Sequence, residues 1–337
     1  MLSNITTNLN TTIPINAAQS IQSMVHSVRF LAYLISNILS LVCTLFDLFF
    51  LLSDRTLYHA LNNHVIIVLL FLGLFYETTN IPWILYNDYN GAPLFRSNIF
   101  YYFWTYINYS FYSLQIELFA WATIERHILI FHDQWVSTGK KRFLVHYLPI
   151  IIIIVYYLIY FAIVHFVQFC TSSFEPFLAG GIHIPCVFDH TVLGMWDLNF
   201  HQVVPTLVIV FFSMGLLARS IWQKRRLQQS INWRKHRKMI IQLLSISTIY
   251  IVFNAPWVLV IFGYQYGLPP DIAGVALVYT GFLYYYVIFV FPFVCCLSLP
   301  ELRKKFRMML FCWRQTRQVN PTTTGITRTQ GGRTART

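Results

Sequence analysis

Long apolar stretches separated by short polar ones run along almost the whole sequence. A helix needs about 20 apolar residues to cross a bilayer, because in lipid every backbone group must be hydrogen-bonded within the helix. The pattern predicts seven such helices, which place the two chain ends on opposite sides of a membrane. They run roughly over residues 30–52, 64–86, 98–131, 144–169, 200–222, 239–263 and 272–298.

Composition supports lipid as the solvent. The 337 residues are 56% hydrophobic and 18% aromatic but only 11% charged, whereas a soluble domain has about 25% charged residues. The net charge of +12 would favour nucleic acid if the basic residues formed one face. They instead occupy short stretches between apolar segments, so we expect no nucleic-acid partner.

The basic residues also predict the orientation. Membrane proteins concentrate Lys and Arg in cytoplasmic loops, and only Arg29 and Arg96 of the 24 basic residues are left outside if the N-terminus is extracellular. We therefore predict an all-α, seven-transmembrane helix bundle in the plasma membrane, with its N-terminus outside. The predicted divisions are an extracellular segment 1–28, a membrane domain 29–299, an amphipathic surface helix 300–312 and a disordered cytoplasmic tail 313–337.

Several short signals concern modification and metal binding. Asn4 and Asn10 begin glycosylation sequons in the segment predicted to be extracellular. Cys312 follows the amphipathic helix and is either palmitoylated or a free thiol. The six cysteines lack the paired short spacings of a zinc site, and the adjacent Cys295 and Cys296 are expected to be core residues, so we predict no metal centre.

The most informative motif is Glu125-Arg126-His127, at the end of the third predicted helix. An acid beside an arginine at a membrane boundary forms a charge pair that a cytoplasmic partner can break. Alternatively, the arginine extends to the lipid headgroups without any signalling role.

Together with seven spans, prolines inside five helices and a basic helix after the last span, this motif resembles the rhodopsin-like family of G-protein-coupled receptors over roughly 30–312. In that family the arginine of an acid-arginine-aromatic triplet contacts the G protein. The resemblance assigns this role to Glu125 and Arg126, with His127 in place of the usual tyrosine. The family also implies hinges at Pro205, Pro256 and Pro292, where each proline removes a backbone hydrogen bond; a kinked core helix is the alternative.

Other positions depart from the family. Leu72 and Gly73 stand where an aspartate usually binds sodium, and the seventh helix lacks the usual asparagine and tyrosine around Pro292. The family's cysteine at the outer end of the third helix is also missing. Cys170 and Cys186 both fall in the predicted outer loop after the fourth helix, and we predict that they pair there.

Residues that the sequence lacks restrict the chemical class of the ligand. Every lysine is predicted to be cytoplasmic, which excludes a retinal Schiff base in the seventh helix. Asn108 stands where amine receptors of the family carry an aspartate, so an amine ligand is disfavoured. Asn108, Tyr112, Asn254, Trp257 and Tyr279 are predicted to line a cavity between the helices, although ordinary packing explains each one alone.

The carboxylates inside predicted helices are ambiguous. Glu77 either belongs to the ligand pocket or hydrogen-bonds, protonated, to a neighbouring helix. Glu117 and Asp47 are expected to be structural.

We conclude from the sequence that the chain transmits binding of an unknown extracellular ligand, a peptide or another non-amine, to a heterotrimeric G protein. Helix six would swing outward about Pro256. The alternatives are a seven-helix transporter, channel or lipid-handling protein, or a receptor-like protein that no longer signals. No enzymatic constellation and no cofactor are predicted.

Overall fold

The computed structural model describes residues 15–167, 191–226 and 230–312, and this part of the chain is built from helices. Seven long helices, α1 to α7, are followed by a short one, α8. The first three are α1 Ile15–Ser53, α2 Leu61–Asn90 and α3 Asn98–Phe131. The next are α4 (Gly139–Arg142, Phe143–Tyr147, Leu148–Phe166) and α5 (Thr191–Leu198, Asn199–Val203, Val204–Arg226). The last are α6 (Ser230–Ile249, Tyr250–Asn254, Ala255–Gln265), α7 (Pro270–Tyr284, Tyr286–Ser298) and α8 Pro300–Cys312.

Six helices in the described ranges, all the long ones except α3, are long and apolar enough to cross a membrane. The protein therefore has an all-α fold of the multi-pass membrane type. Each of the seven predicted segments contains helix. Helix α1 starts at Ile15, so helix extends into the predicted N-terminal segment 1–28.

Helix α3 is the centre of the bundle. It contacts α2, α4, α5 and α6 directly and hydrogen-bonds to α7. Helices α5, α6, α7, α1 and α2 each contact the next around it. From Trp104 to Phe131 none of its side chains is exposed, so the surrounding helices shield it from the exterior.

Three of the predicted kink prolines share one local structure. Pro149, Pro205 and Pro256 are each the second residue of an α-helical stretch that follows a five-residue π-helical turn. Proline cannot donate to the carbonyl four residues back, and its ring clashes with that carbonyl. The wider π turn accommodates this missing hydrogen bond and changes the helix direction. Pro292 instead lies inside the second half of α7, just after the interruption at Tyr285.

Helix α8 is amphipathic, as predicted. Leu302 is fully buried, and the Phe306 ring packs edge-on against Phe46 of α1. Lys305 Nζ lies 3.4 Å from Asp54 Oδ2 in the turn after α1. Hydrogen bonds from the Thr56 hydroxyl and backbone N–H, together with Lys305, lower the pKa of the Asp54 carboxyl. The α1–α2 turn and α8 are therefore joined at one end of the bundle.

Candidate functional site

A neutral hydrogen-bond network centres on Asn108, in the N-terminal half of α3. Its Oδ1 accepts hydrogen bonds from the Tyr76 hydroxyl at 2.5 Å, from Asn80 Nδ2 at 3.1 Å and from the Tyr285 hydroxyl at 3.3 Å. Trp104 Nε1 in turn donates to Asn80 Oδ1 at 2.8 Å. One amide oxygen thus joins α3 to both α2 and α7.

A second set of contacts lies about one turn further along α3. The Tyr112 hydroxyl donates to Asn254 Oδ1 at 3.0 Å, and Asn254 Nδ2 donates to Thr206 Oγ1 at 3.1 Å. The Tyr112 ring stacks on Tyr284, with ring centroids 3.7 Å apart. Since Asn254 ends the π turn before Pro256, these contacts hold the bend of α6 against α3 and α5.

Of the five residues predicted to share a cavity, the structure brings Asn108, Tyr112 and Asn254 into this buried region. Trp257 joins it indirectly, because its ring lies 5.4 Å from Tyr284. A Cβ at Gly281 would lie 3.0 Å from Trp257 Cζ3, so a larger residue there would require the indole to shift by a few tenths of an ångström. The prediction for Tyr279 is wrong: its side chain is 70% exposed and lies on the outer stripe of α7.

Glu77 lies apart from the contacts around Asn108. Its carboxylate is buried against α1, where Ser40 Oγ donates to one oxygen and Thr44 Oγ1 to the other at 3.4 Å. Its neighbour Tyr76 is the α2 residue that reaches Asn108. Tyr76 and Glu77 point to different helices because successive residues of a helix are rotated by about 100°. The alternative interpretation, a hydrogen-bonded contact to a neighbouring helix, fits Glu77.

At the other end of α3, Glu125 of the predicted triplet pairs with a histidine of α4. Its Oε1 contacts His146 Nδ1, and both side chains are buried. His146 Nε2 lies 3.0 Å from His64 Nδ1, and His64 Nε2 lies 2.9 Å from the Tyr58 carbonyl oxygen. The acid is therefore linked through two imidazoles to α2 and to the turn before it.

Hydrogen-bond roles fix the proton count of this chain of groups. The Tyr58 carbonyl can only accept, so His64 Nε2 carries a hydrogen. The three contacts are Glu125 to His146, His146 to His64, and His64 to the Tyr58 carbonyl. Two neutral imidazoles and a carboxylate have one proton too few for all three to be hydrogen bonds, so one additional proton must be present. That proton resides on His64, on His146 or on Glu125, and in each case the three side chains together are neutral. The neutrality of this buried group thus depends on two histidines that lie outside the triplet.

The other two members of the triplet lie at the same end of α3. Arg126 is only 3% exposed. His127 Nε2 donates to the Phe212 carbonyl of α5 at 2.7 Å, beside a hydrogen bond of 2.6 Å between Ser213 of α5 and Ser247 of α6. The triplet therefore lies where α3, α4, α5 and α6 approach one another.

Sequence reasoning missed several buried polar partners. His146 and His64 were not singled out from the scattered histidines. His201 Nδ1 lies 2.8 Å from Asp197 Oδ1, and its Nε2 lies 3.0 Å from the Tyr156 hydroxyl. The spacing of Asp197 and His201, four residues apart in a helix, was the one local signal available.

Four predicted sites, Asn4, Asn10, Cys170 and Cys186, lie outside the described residues. The side chain of Cys312, at the end of α8, also lies outside them.

The polar groups therefore occupy two levels of one central helix. Asn108 and Glu125 are 17 residues apart, roughly 26 Å along α3. No protein-family model and no curated protein matches the chain.

Proposed function

We propose that the chain is a G-protein-coupled receptor of the rhodopsin-like type, crossing the plasma membrane seven times with its N-terminus outside. Helix α3 is the seventh crossing in this proposal. Its 34 residues span about 51 Å, which exceeds the roughly 30 Å of hydrocarbon. Its polar side chains are acceptable in a membrane because other helices cover them. The distribution of Lys and Arg supports the orientation.

The observation that carries the proposal is the contact between Tyr112 of α3 and Asn254 at the bend of α6. A ligand entering from the outside would reach this level first. By competing for the Tyr112 or Asn254 hydrogen bonds, it would release the bend next to Pro256. The opposite end of α6 then swings away from α3.

The other end of α3 supplies the cytoplasmic half of the mechanism. Arg126 is buried, so in this proposal the present arrangement is the resting one. Movement of α6 would uncover Arg126 and create a docking site for a heterotrimeric G protein. The ligand drives the change only by binding the open arrangement more tightly than the closed one.

A transport function fits the geometry less well. A polar path would recruit Glu77, Asn80, Asn108 and Glu117, of which Asn80 donates to Asn108. Glu77 faces Ser40 and Thr44 of α1, Glu117 accepts from Tyr157 of α4 at 3.3 Å, and Asn108 faces α2 and α7. These groups face four different helices, α1, α4, α2 and α7, and do not line one route.

The test is nucleotide exchange on G proteins in membranes from cells that express the chain, measured together with ion and solute flux. Arg126→Ala is expected to abolish basal exchange. Tyr112→Phe removes a hydrogen bond worth about 1 kcal/mol, which should raise basal exchange about fivefold.

Tyr279→Phe is the matched control, because the same hydroxyl is removed from an exposed side chain of α7. It should leave exchange unchanged. Equal effects of the two tyrosine variants would contradict the α3–α6 mechanism. Flux without nucleotide exchange would contradict the receptor itself.

A further inference from the structure

Two cysteines and an aspartate meet between α1 and α7, away from both polar levels of α3. Cys43 and Asp47 lie four residues apart on α1, so they share a face of the helix, and Cys296 reaches them from α7. One ligand atom from each, two Sγ and a carboxylate oxygen, all lie within 4.8 Å of one another. The three side chains are 4%, 0% and 1% exposed.

Among the described residues, the carboxylate of Asp47 has no hydrogen-bond donor stronger than the thiol of Cys296. Neither oxygen has a hydrogen-bond partner of ordinary geometry within the described part of the chain. The groups beside it are thiols, which are weak donors. A buried polar group without a partner costs about 1–3 kcal/mol, and a charged one costs more. Glu77 on the same side of the bundle, by contrast, has two hydroxyl donors.

We propose that Cys43, Asp47 and Cys296 form a binding site for Zn²⁺. Thiolate and carboxylate are both zinc ligands, with bond lengths of about 2.3 Å to sulfur and 2.0–2.2 Å to oxygen. Tetrahedral coordination then separates neighbouring ligand atoms by about 3.8 Å or less, so small side-chain movements close the site. The two sulfurs favour zinc over magnesium or calcium, and the carboxylate favours it over copper(I).

The position of the site suits the charge of the complex. Two thiolates, one carboxylate and Zn²⁺ together carry one negative charge. Cys296 lies two residues before the end of α7, and Asp47 lies six residues, about 9 Å, before the end of α1. Helix α8, which packs against this end of α7, has four basic residues and one acidic residue. The site therefore lies near the basic helix α8, and the three side chains leave one position of a tetrahedral metal unfilled.

Binding of one metal ion displaces the protons of the two thiols, and a third proton when the Asp47 carboxyl is protonated, so it strengthens as pH rises. The bound ion would clamp α1 to α7 beside the start of α8. The inference is independent of the proposed receptor function, because it concerns only the ligand atoms.

The test uses the full chain, purified in detergent, treated with a chelator and titrated with Co²⁺ as a spectroscopic probe. One Co²⁺ per chain is expected, with thiolate-to-cobalt charge-transfer absorption that Zn²⁺ displaces. Cys43→Ser and Cys296→Ser should abolish this absorption. Asp47→Asn should keep it but weaken binding at least about tenfold.

Cys295→Ser is the matched control, since Cys295 is equally buried and adjacent in sequence but lies outside the cluster. It should bind Co²⁺ like the unmodified chain. Absorption that survives in both Cys43→Ser and Cys296→Ser, or that is lost in Cys295→Ser, would overturn the proposal.

A measurement on the unmodified chain tests the site even if the variants fail to fold. The X-ray absorption fine structure of the Zn²⁺-loaded protein should show two sulfur neighbours at about 2.3 Å. A shell of histidine nitrogen alone would overturn the site, as would a Cys43–Cys296 disulfide detected by mass in the chain as purified.

Discussion

Helices α3 and α4 lie side by side but differ in the polarity and the exposure of their side chains. Between Trp104 and Phe131, α3 has no exposed side chain, and Asn108, Ser113, Gln115 and Glu125 are among its buried polar residues. Helix α4 is apolar over most of its length and exposes a stripe of large aliphatic side chains. The stripe includes Ile151, Ile152, Val155, Ile159 and Ile163.

The difference shows how lipid changes the rule, familiar from soluble proteins, that apolar side chains are buried and polar ones are exposed. Hydrocarbon tails are as apolar as leucine, so aliphatic side chains gain little by leaving the outer surface. Polar side chains gain most by finding partners inside the protein. The central helix α3 is therefore the long helix of the described ranges that is not apolar enough to count as a membrane span, whereas α4, which contains the most apolar span, lies at the periphery.

His146 is a buried polar residue of α4 that departs from this pattern, and its removal should have the largest effect. His146→Ala leaves the buried carboxyl of Glu125 without its partner, which costs about 3–5 kcal/mol when a buried pair is broken. We expect a loss of that size in the apparent free energy of unfolding in mixed micelles.

A double-mutant cycle separates this pairing from the loss of volume. Adding Glu125→Gln to His146→Ala removes the orphaned charge, so the double variant should be more stable than His146→Ala alone. Strictly additive losses would show that the two side chains are not coupled.

Asn108→Leu should have the next largest effect, because it changes a polar α3 position to one typical of α4. It leaves the donors of Tyr76, Asn80 and Tyr285 without their shared acceptor. We expect a destabilisation of about 2–3 kcal/mol, measured in the same micelles.

Ser110→Ala is the control for Asn108→Leu. Ser110 is equally buried on α3, but its hydroxyl donates to the Tyr106 carbonyl of its own helix at 2.6 Å. Its removal should cost less than about 1 kcal/mol. If both variants lost the same amount, contacts between helices would not be what Asn108 provides.

Ile159→Ala on α4 should have the smallest effect. Its side chain is 55% exposed on the lipid-facing stripe, and we expect a change within about 0.5 kcal/mol. A loss of several kcal/mol would mean that protein, such as a second copy of the chain, covers this face of α4.

Particular residues show how far sequence reasoning reached. The seven helical segments, the amphipathic α8 and the grouping of Asn108, Tyr112 and Asn254 followed from periodicity and from the family resemblance. Tyr279 was assigned to the wrong face of its helix. Each residue turns a helix by about 100°, so an error of one or two positions moves a side chain from the buried face to the exposed one. For Glu77 the sequence left two interpretations open, and the structure shows its carboxylate hydrogen-bonded to α1 while its neighbour Tyr76 reaches α3.

The membrane-type helical fold was determined by the sequence itself. Whether a helix can cross a bilayer depends on its own length and apolarity, and both can be read from one stretch of sequence. Pairings between distant residues were decided only by the tertiary structure. His146 meets Glu125, and Cys43 meets Cys296, through the rotation and packing of separate helices. Those depend on how whole surfaces fit together, which no single stretch of sequence contains.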